Sequence, residues 1–525
     1  MLTIQTSTVS TKKPDFMIKA IAAAVALCAG SSVYAAATGG FSTTDGGNVS
    51  GAQSFTASTY EQINTIIANA KLDANGSKVT GGAYPLIITY TGNEDALINQ
   101  VISDHTVNAS GNCPKARWND AYRYVEIKEF TKGITIIGAN GSSANFGVVV
   151  NKSSNVIVRN MKIGALAGAN NDADMLRIDS GTNVLIDHNE LFAVNNECNG
   201  SPDGDLTFES AIDIKKDSHN VTVSYNLIRD SKKVGLDGSS SSDIAGGREI
   251  TFHHNIYRNV NARLPLQRGG WTHMYNNFYD GITDSGINVR QAGYALIESN
   301  WFQNAKNPVT CRYDSSNCGY WDLRNNNVKT PGDFATYNIT WSSGGTIDAT
   351  NWTTTAPFPI SIPYSYSPVT PQCVKDKLDQ YAGVGKNNAQ LTASACGGTT
   401  SSVTSSAASS TVSVASSSKS SSSVAAVSSS KSSSSVAVVS SSSAVASSAS
   451  GAPVLSGTGD YPSGFSKCAD LGGTCSVTSG DGWVAFGRKG KWVTKKVSVG
   501  GSIACTVAAF GSDPQGNPNK CSYKK

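Results

Sequence analysis

The chain of 525 residues has few charged residues and no apolar segment long enough to span a membrane. Only 15% of its residues are Asp, Glu, Lys or Arg, and the formal net charge is +4. That balance argues against a nucleic-acid-binding protein, which would carry a strongly basic patch. A membrane partner is also not expected, because a spanning helix needs about 20 apolar residues. A site for an acidic ligand would therefore need a local cluster of cations.

Residues 1–37 are predicted to form a signal peptide. Three lysines, Lys12, Lys13 and Lys19, precede a short apolar run, and small residues at Ala35–Ala37 suit a cleavage site. Met17 is an alternative start, because the segment after it is a complete signal by itself. We therefore expect a secreted, extracellular protein.

The cysteine content predicts disulfides. Of eleven cysteines, Cys28 lies in the predicted signal peptide, and an even number in an exported chain favours pairing. The remaining positions are Cys113, Cys198, Cys311, Cys318, Cys373, Cys396, Cys468, Cys475, Cys505 and Cys521. No Cys-x-x-Cys pair occurs, which argues against a zinc site.

A change in composition divides the mature chain into three parts. Residues 398–458 are almost entirely Ser, Ala and Val, so they offer nothing to form a core and predict a flexible linker. The linker separates a large domain, residues 38–397, from a small tail, residues 459–525.

The tail has the features of a small β-rich domain held by disulfides. Its cysteine spacing predicts the pairs Cys468–Cys475 and Cys505–Cys521, and GDGWVAFGRKGKWVTKKVSVGG predicts a β-hairpin with a basic turn. Trp483 and Trp492 have two interpretations, either sugar-stacking surfaces or parts of a small core. The long tether favours a carbohydrate-binding module for plant cell-wall polysaccharide, because tethering raises the local substrate concentration.

A weak repeat runs through the large domain. Short β-rich runs such as NVLIDHNELF and ITFHHNIY end in Asn followed by large apolar residues. The terminal asparagines are Asn160, Asn189, Asn226, Asn255, Asn277 and Asn300. A strand unit repeating at this interval predicts an all-β solenoid of stacked rungs, with the asparagines at one corner. A β-sandwich is the alternative, but its Asn-Gly and Asp-Gly hairpin signals are sparse.

Two neighbouring histidines occur in one of these runs. His253 and His254 occupy successive strand positions in ITFHHN. We expect them to face opposite sides and to pack within the rung rather than to act as bases.

Four acidic residues in neighbouring repeats are candidate metal ligands. In DLTFESAIDIKK, interpreted as one strand, Glu209, Asp213 and Lys215 share a face with Ala211. Full extension would separate Glu209 from Asp213 by about 13 Å, so a shared ion requires a bend. Asp172 and Asp174 lie one repeat earlier, and stacking would bring them to the same flank. Clustered carboxylates fit Ca²⁺. The alternative is a solvated acidic face with Lys215 as its counter-ion.

Basic residues follow in the next two repeats. SKKVGLDG supplies Lys233, and NARLPLQRGG supplies Arg263 and Arg268. Pro265 breaks the strand between the two arginines, so both are expected to point the same way. Carboxylates that hold a cation beside a row of Lys and Arg suit a polyanion that itself carries carboxylates, such as polygalacturonate.

Taken together, these segments resemble bacterial pectate lyases of the parallel β-helix family. The resemblance covers about Gly39–Cys396 and rests on DADMLRID, NVLIDHNELF, FESAIDIKK, SKKVGLDGSSSSD, VNARLPLQRGG and INVRQAG, in that order. It implies a right-handed parallel β-helix and the disulfides Cys113–Cys198 and Cys373–Cys396. One departure is Leu185, where many relatives have Trp, but this position lies beside His188 and away from the implied catalytic residues.

The resemblance also implies roles for the candidate site residues. Asp172, Asp174, Glu209 and Asp213 match calcium ligands; Lys215, Lys233, Arg268 and Arg290 match substrate-binding cations; Arg263 matches the catalytic base, with Lys233 and Arg268 as catalytic partners.

The implied reaction is calcium-dependent β-elimination of polygalacturonate or low-methylated pectin, in which the C5 proton is removed and the C4 oxygen leaves. Arginine is normally protonated, so a base role predicts an alkaline optimum. A simple carboxylate clamp is the other interpretation of Arg263.

Three other functions are weighed against this one. A polygalacturonase would need aspartates near a histidine, which these motifs do not supply. A pectin lyase would lack the calcium acids, and a non-catalytic wall-binding solenoid would not need Arg263. No motif indicates oligomerisation, so we expect a monomer.

Overall fold

A computed structural model describes residues 39–115, 122–168, 173–198, 207–244, 248–312, 317–397, 455–457, 459–480, 482–510 and 519–524. The predicted signal peptide and nearly all of the predicted linker lie outside these ranges, so both stay predictions. The chain divides into two compact units, with the boundary in sequence between residues 405 and 406. Within the described ranges, no helix has the length and apolar character that a membrane span requires.

The large unit is a parallel β-helix built from three long sheets. The first sheet contains, in spatial order, β1 (Gln53–Ala57), β2 (Leu86–Tyr90), β4 (Ile134–Gly138), β6 (Ser154–Arg159), β9 (Thr182–Asp187), β12 (His219–Ser224), β15 (Glu249–His253), β18 (Trp271–Tyr275), β21 (Tyr294–Glu298) and β24 (Tyr320–Arg324). The second contains β7 (Lys162–Gly164), β10 (Glu190–Phe192), β13 (Leu227–Lys233), β16 (Ile256–Ala262), β19 (Phe278–Ile282), β22 (Trp301–Lys306) and β25 (Ile339–Thr340). The third contains β3 (Tyr124–Lys128), β5 (Gly147–Asn151), β8 (Leu176–Asp179), β11 (Ile212–Lys215), β14 (Gly235–Asp237), β17 (Leu266–Gln267), β20 (Ile287–Val289), β23 (Val309–Arg312) and β26 (Gly345–Asp348).

Apolar residues stack on one another inside the β-helix. Val184, Val221 and Ile250 are partners in register across β9, β12 and β15, and each is at most 1% exposed. Burial of each such side chain contributes roughly 1.5–3 kcal/mol. Outside the sheets lie α1 (Tyr60–Asn69), α2 (Asp95–His105), α3 (Pro371–Lys377) and short 3₁₀ segments at Pro331–Asp333, Leu378–Gln380 and Ser394–Cys396. The predicted solenoid class is confirmed.

The cysteines of this unit form three disulfides. Cys113 pairs with Cys198 and Cys373 with Cys396, as the family resemblance implies. Cys311 pairs with Cys318, and the sequence separation between them is 7.

A ladder of asparagine side chains runs along one corner of the β-helix. Each Nδ2 donates to the Oδ1 of the next asparagine at 2.9–3.1 Å, and that Oδ1 also accepts a backbone N–H from the preceding rung. The members are Asn189, Asn226, Asn255, Asn277, Asn300 and Asn326, and none is more than 2% exposed. The ladder satisfies buried polar groups at every turn of this corner.

The prediction of stacked asparagines is confirmed for five positions and wrong for Asn160. Arg159 aligns with Asp187, so Met161 takes the place before Asn189, and the Met161 N–H donates to the Asn189 Oδ1. Asn160 instead has a left-handed backbone, with φ of +53°. The sequence repeat also missed Asn326, which ends the ladder.

Loss of one ladder amide is expected to destabilise the protein strongly. Asn255→Ala removes the acceptor of the Asn226 side chain and backbone N–H and leaves the carbonyl oxygen of Val223 without its donor. We expect the free energy of unfolding to fall by about 2–4 kcal/mol. The control Asn99→Ala replaces an exposed asparagine on α2 and is expected to cost less than about 0.5 kcal/mol. Urea unfolding of both variants checks this, and equal losses would contradict a special role for the ladder.

His253 and His254 contact each other and do not face opposite sides. β15 ends at His253, and His254 has φ of +54°, so the chain turns between the two residues. Their Nδ1 atoms are 2.9 Å apart. Tyr225 stacks on the ring of His254, and Tyr275 stacks on the ring of His253. The predicted packing role agrees with this burial. Burial lowers the pKa of His253 to about 3 and also lowers the pKa of His254 well below its ordinary value.

These histidines make stability depend on pH. The unfolded chain takes up their protons near pH 6.5, while the folded protein resists protonation down to about pH 3 at His253. Their stabilising effect is therefore complete above about pH 6.5 and declines below it, by up to about 1.4 kcal/mol per pH unit for each histidine. Urea unfolding between about pH 7.5 and pH 5 measures this slope. His253→Gln should make it shallower, and an unchanged slope would refute the assignment.

The small unit is a separate β-domain. Its main antiparallel sheet contains β27 (Phe465–Asp470), β32 (Lys520–Lys524), β29 (Trp483–Arg488) and β30 (Lys491–Lys496); β28 (Thr474–Ser476) pairs with β31 (Ser502–Ala504), and α4 spans Val507–Phe510. The predicted hairpin is present as β29 and β30. The predicted disulfides Cys468–Cys475 and Cys505–Cys521 are also present. Val484 and Phe486 lie in its buried core, whereas Trp483 and Trp492 are only half-buried.

Candidate active site

Two buried carboxylates meet one lysine on the outer side of the third sheet. Asp213 and Lys215 lie on β11, and Asp174 lies just before the neighbouring strand β8. The Lys215 Nζ is 2.8 Å from the Asp213 Oδ2 and 3.1 Å from the Asp174 Oδ2. Asp213 is 2% exposed and Asp174 is fully buried. The stacking of rungs therefore brings these two acids together, as the sequence predicts.

Glu209 reaches the same region by a bend in the chain. β11 begins only at Ile212, so the predicted strand over DLTFESAIDIKK is wrong before that residue, and Ala211 is fully buried. The Lys233 Nζ lies 2.6 Å from the Glu209 Oε1. Burial raises the pKa of Glu209, the charge of Lys233 opposes this, and the charge of Asp213 adds to it. Glu209 thus lies within electrostatic reach of both Lys233 and Asp213.

The carboxylates have the right chemistry for a hard cation. Asp174, Asp213 and Glu209 offer oxygen donors and no nitrogen or sulfur, which is the donor set that Ca²⁺ prefers. Within the described ranges, however, no three acidic, His or Cys residues are close enough together to form a metal-binding group. Asp172, the fourth predicted ligand, lies outside those ranges. The complete predicted ligand set therefore stays a prediction.

Arg263 and Arg268 lie on either side of the short strand β17. Arg263 has a left-handed backbone with φ of +69°, and its carbonyl accepts from the Gly235 N–H at 2.9 Å. The charge of Arg263 lowers the pKa of Glu209 and so opposes the effect of burial, which means that Arg263 lies within electrostatic reach of this carboxylate. Arg268 follows β17, and its Nη1 donates to the Gly238 carbonyl at 3.1 Å. The predicted proline bend is present, with a cis Leu264–Pro265 peptide bond.

Arg290 is more enclosed than the other predicted cations. It is only 6% exposed, and its Nη2 donates to the Arg312 carbonyl. Its predicted contact with substrate stays a prediction.

Sequence reasoning missed Arg248, whose buried guanidinium lies against the backbone of Arg268. Arg248 is 1% exposed, and its Nη1 donates to the Arg268 carbonyl. Its Nη2 donates to the Lys216 carbonyl at 3.0 Å and to the Asp243 Oδ1 at 2.7 Å. Asp243 in turn accepts from the backbone N–H groups of Lys216 and Ser239.

This pair of charges ties three backbone segments together. The residue after β11, the loop after β14 and the carbonyl of Arg268 all meet at Arg248. Glycine is required nearby: Gly270 has φ of +70°, and a Cβ there would lie 2.4 Å from the Arg248 carbonyl oxygen. In the sequence, Arg248 is one isolated charge before a strand, and no spacing pattern links it to Arg268.

The fold and the site define a parallel β-helix protein whose outer face combines carboxylates with Lys and Arg side chains. A family model described as pectate lyase matches residues 15–387. The chain belongs to the pectate lyase family.

Several relatives are similar over most of the large unit. Pectate lyase 3 of Pectobacterium atrosepticum is 61% identical over 383 residues, which is 73% of this chain and 99% of the relative. Pectate lyase B of Dickeya chrysanthemi is 60% identical and also covered to 99%. The solved structure of pectate lyase C from Erwinia chrysanthemi with Ca²⁺ is 60% identical, with a TM-score of 0.65 over 69% of this chain and all of that chain. A variant of pectate lyase C in complex with pentagalacturonic acid has the same TM-score, 0.65, at 59% identity.

Replacing Arg248 tests whether it positions Arg268. Arg248→Lys is expected to lower kcat/KM at least tenfold, a loss of about 1.4 kcal/mol, because the lysine cannot reach all three segments. The control is Arg159→Lys, which alters another buried arginine that pairs with Asp187 at 2.8 Å in the first sheet. Both variants should unfold at lower temperature. Equal loss of kcat/KM in the two variants would reduce Arg248 to a general structural role.

Proposed function

We propose that this protein cleaves polygalacturonate by calcium-dependent β-elimination and releases 4,5-unsaturated oligogalacturonides. The observation that carries the proposal is the convergence of Asp174 and Asp213 on Lys215, with Glu209 and Lys233 beside them. Membership of the pectate lyase family and 60% identity to a lyase solved with Ca²⁺ support the same reaction. A complex of a related enzyme with pentagalacturonic acid supports the substrate class.

In this proposal, each charged residue has a part in binding or proton transfer. Lys215, Lys233 and Arg268 bind uronate carboxylates of the polymer. Arg290 adds a further contact to the substrate at the edge of the site. Arg263 removes the C5 proton, the electron pair of that C–H bond forms the C4–C5 double bond as the C4–O bond breaks, and the departing oxygen takes up a proton from water. Bound Ca²⁺ would withdraw charge from the carboxylate next to C5 and so stabilise the carbanion that forms. Asp172, Asp174, Glu209 and Asp213 would hold the ion.

The reaction is tested by the short-wavelength ultraviolet absorbance of the unsaturated product. Purified protein is mixed with polygalacturonate, with and without a calcium chelator, and calcium is then restored. We expect absorbance to rise only when calcium is present. Reducing ends without unsaturated product would instead indicate a polygalacturonase, and no product at all would indicate a binding protein.

Arg263 is expected to be essential for turnover. Arg263→Lys and Arg263→Ala should lower kcat by much more than tenfold, which is about 1.4 kcal/mol, while the protein stays folded. Arg258→Lys is the matched control, since Arg258 lies on β16 close by in sequence but pairs with Asp379 on the surface. A variant of Arg263 that keeps more than about a tenth of kcat would exclude the base role.

Secretion is supported by the disulfides of both units. The described residues contain five of them, three in the β-helix and two in the tail. Disulfides persist in oxidising, extracytoplasmic environments. A secreted monomer that degrades pectin outside the cell fits the predicted signal peptide.

The tail is proposed to bind plant cell-wall polysaccharide. In the pairing of β29 with β30, Trp492 lies opposite Gly487 and Trp483 opposite Lys496, so both tryptophans are on the same face of the sheet. The core residues Val484 and Phe486 alternate with them and lie on the other face. Half-buried tryptophans beside a lysine suit a surface that stacks on sugar rings and meets uronate charges.

Isolated tail, about residues 459–525, is expected to bind insoluble pectin or cellulose in a pull-down. Trp483→Ala and Trp492→Ala should each weaken retention, whereas Lys495→Ala serves as a surface control, because this exposed lysine lies opposite Val484 on the other face of the sheet. Deleting the tail should lower activity on intact cell wall but not on soluble polygalacturonate. Failure of the folded wild-type tail to bind either polymer would show that it has another role.

A further inference from the structure

A groove outside the candidate active site lies at the start of the third sheet. It has a volume of about 750 Å³ and is bounded by α1 with its following segment on one side and by the outer face of β3 on the other. Its lining includes Tyr60, Lys71, Lys78, Tyr122, Tyr124 and Lys128. None of these residues belongs to the catalytic set proposed above.

The groove is in line with the candidate active site along the stack of rungs. Successive neighbours in the sheet are β3, β5, β8 and β11. The register aligns Lys128 with Asn151, Asn151 with Asp179 and Asp179 with Lys215. Three steps of about 4.8 Å place Lys128 about 14 Å from the backbone of Lys215. A polymer that lies along this face and occupies the active site therefore reaches the groove within a few sugar units.

The side chains of the groove suit an acidic sugar. Tyr124 is 37% exposed, and its ring stacks on Tyr122 with centroids 4.7 Å apart, so a supported aromatic face is presented to solvent. Lys78 and Lys128 are exposed, and neither forms an ion pair within the described part of the chain. Two carboxylates also line the groove, and one of them, Glu126, accepts from the Asn151 amide at 3.3 Å. The three lysines outnumber these two acids.

Tyr122 connects the groove to the acids of the active site. Its ring lines the groove, while its hydroxyl donates to the Asp174 carbonyl at 2.8 Å. The same residue thus supports Tyr124 on one side and the backbone of a predicted calcium ligand on the other.

We propose that this groove binds a distal part of the polygalacturonate chain, with a sugar ring on Tyr124 and uronate carboxylates at Lys78 and Lys128. The inference rests on the proposed function, because it takes the occupant to be the same polymer that is cleaved near Arg263. Such a contact strengthens binding of long chains but takes no part in the bond-breaking step. Loss of this contact is therefore expected to raise KM for long substrates and to leave KM for short substrates unchanged.

The test compares long and short substrates. Tyr124→Ala and Lys128→Ala are expected to raise KM for polygalacturonate about fivefold, with kcat unchanged and with kinetics on trigalacturonate unchanged. Lys329→Ala is the matched control, since it removes an exposed lysine beyond β24 at the other end of the sheets. Near-ultraviolet circular dichroism checks that each variant is folded. An unchanged KM for the polymer, or equal changes for polymer and trimer, would overturn the proposal.

Binding without turnover separates this inference from the proposed function. Retention on immobilised polygalacturonate is compared between the wild type and both groove variants, with the tail, residues 459–525, removed from all three proteins. Weaker retention of the variants supports the groove even if wild-type protein forms no unsaturated product. Equal retention overturns the groove proposal even if the enzyme is an active lyase.

Discussion

The structure depends on strands that stack in register, one rung above another. The register places Val184, Val221 and Ile250 in one apolar column inside the β-helix. On the outer side, it pairs the strand of Asp213, β11, with β8, which begins two residues after Asp174. Because each rung adds only about 4.8 Å, residues that are 39 positions apart in sequence come to share one lysine. A shift of one residue in any of these strands would turn its outer charges into the core.

The buried acids of the site are tolerated because lysine side chains compensate their charges. Asp174 and Asp213 are almost completely removed from solvent, which would be costly for unpaired carboxylates. Lys215 forms an ion pair with both of them, and Lys233 forms an ion pair with Glu209. Residues assigned to bind the anionic substrate therefore also neutralise the acids. Behind them, Arg248 and Asp243 form a second compensated pair that fixes the backbone from which Arg268 projects.

The sequence predicted the solenoid and the composition of the site better than their local geometry. β-Branched runs ending in Asn recur throughout the large domain, although their spacing varies, and the resemblance to the family motifs implies a role for each charged residue. The misplacement of Asn160 arose because Asn suits both the ladder position and the adjacent left-handed position, where later rungs have His188, Tyr225 and His254. The bend before Ile212 was not visible, since FESAIDIKK alternates as a single strand would. Arg248 was missed because its partners are mostly backbone carbonyls, which leave no mark in a sequence pattern.

The asparagine ladder separates the spacing of rungs from the length of chain between them. Consecutive members are 37, 29, 22, 23 and 26 residues apart, yet every link has nearly the same hydrogen-bond length. Insertions elsewhere in a rung therefore leave this corner unchanged, and closing a longer loop adds little entropic cost. Such a scaffold lets evolution lengthen or trim the loops that border the polymer-binding face without rebuilding the core beneath it. Divergence in substrate preference among β-helical relatives is then expected to be concentrated in loop insertions, while the corner amides stay fixed.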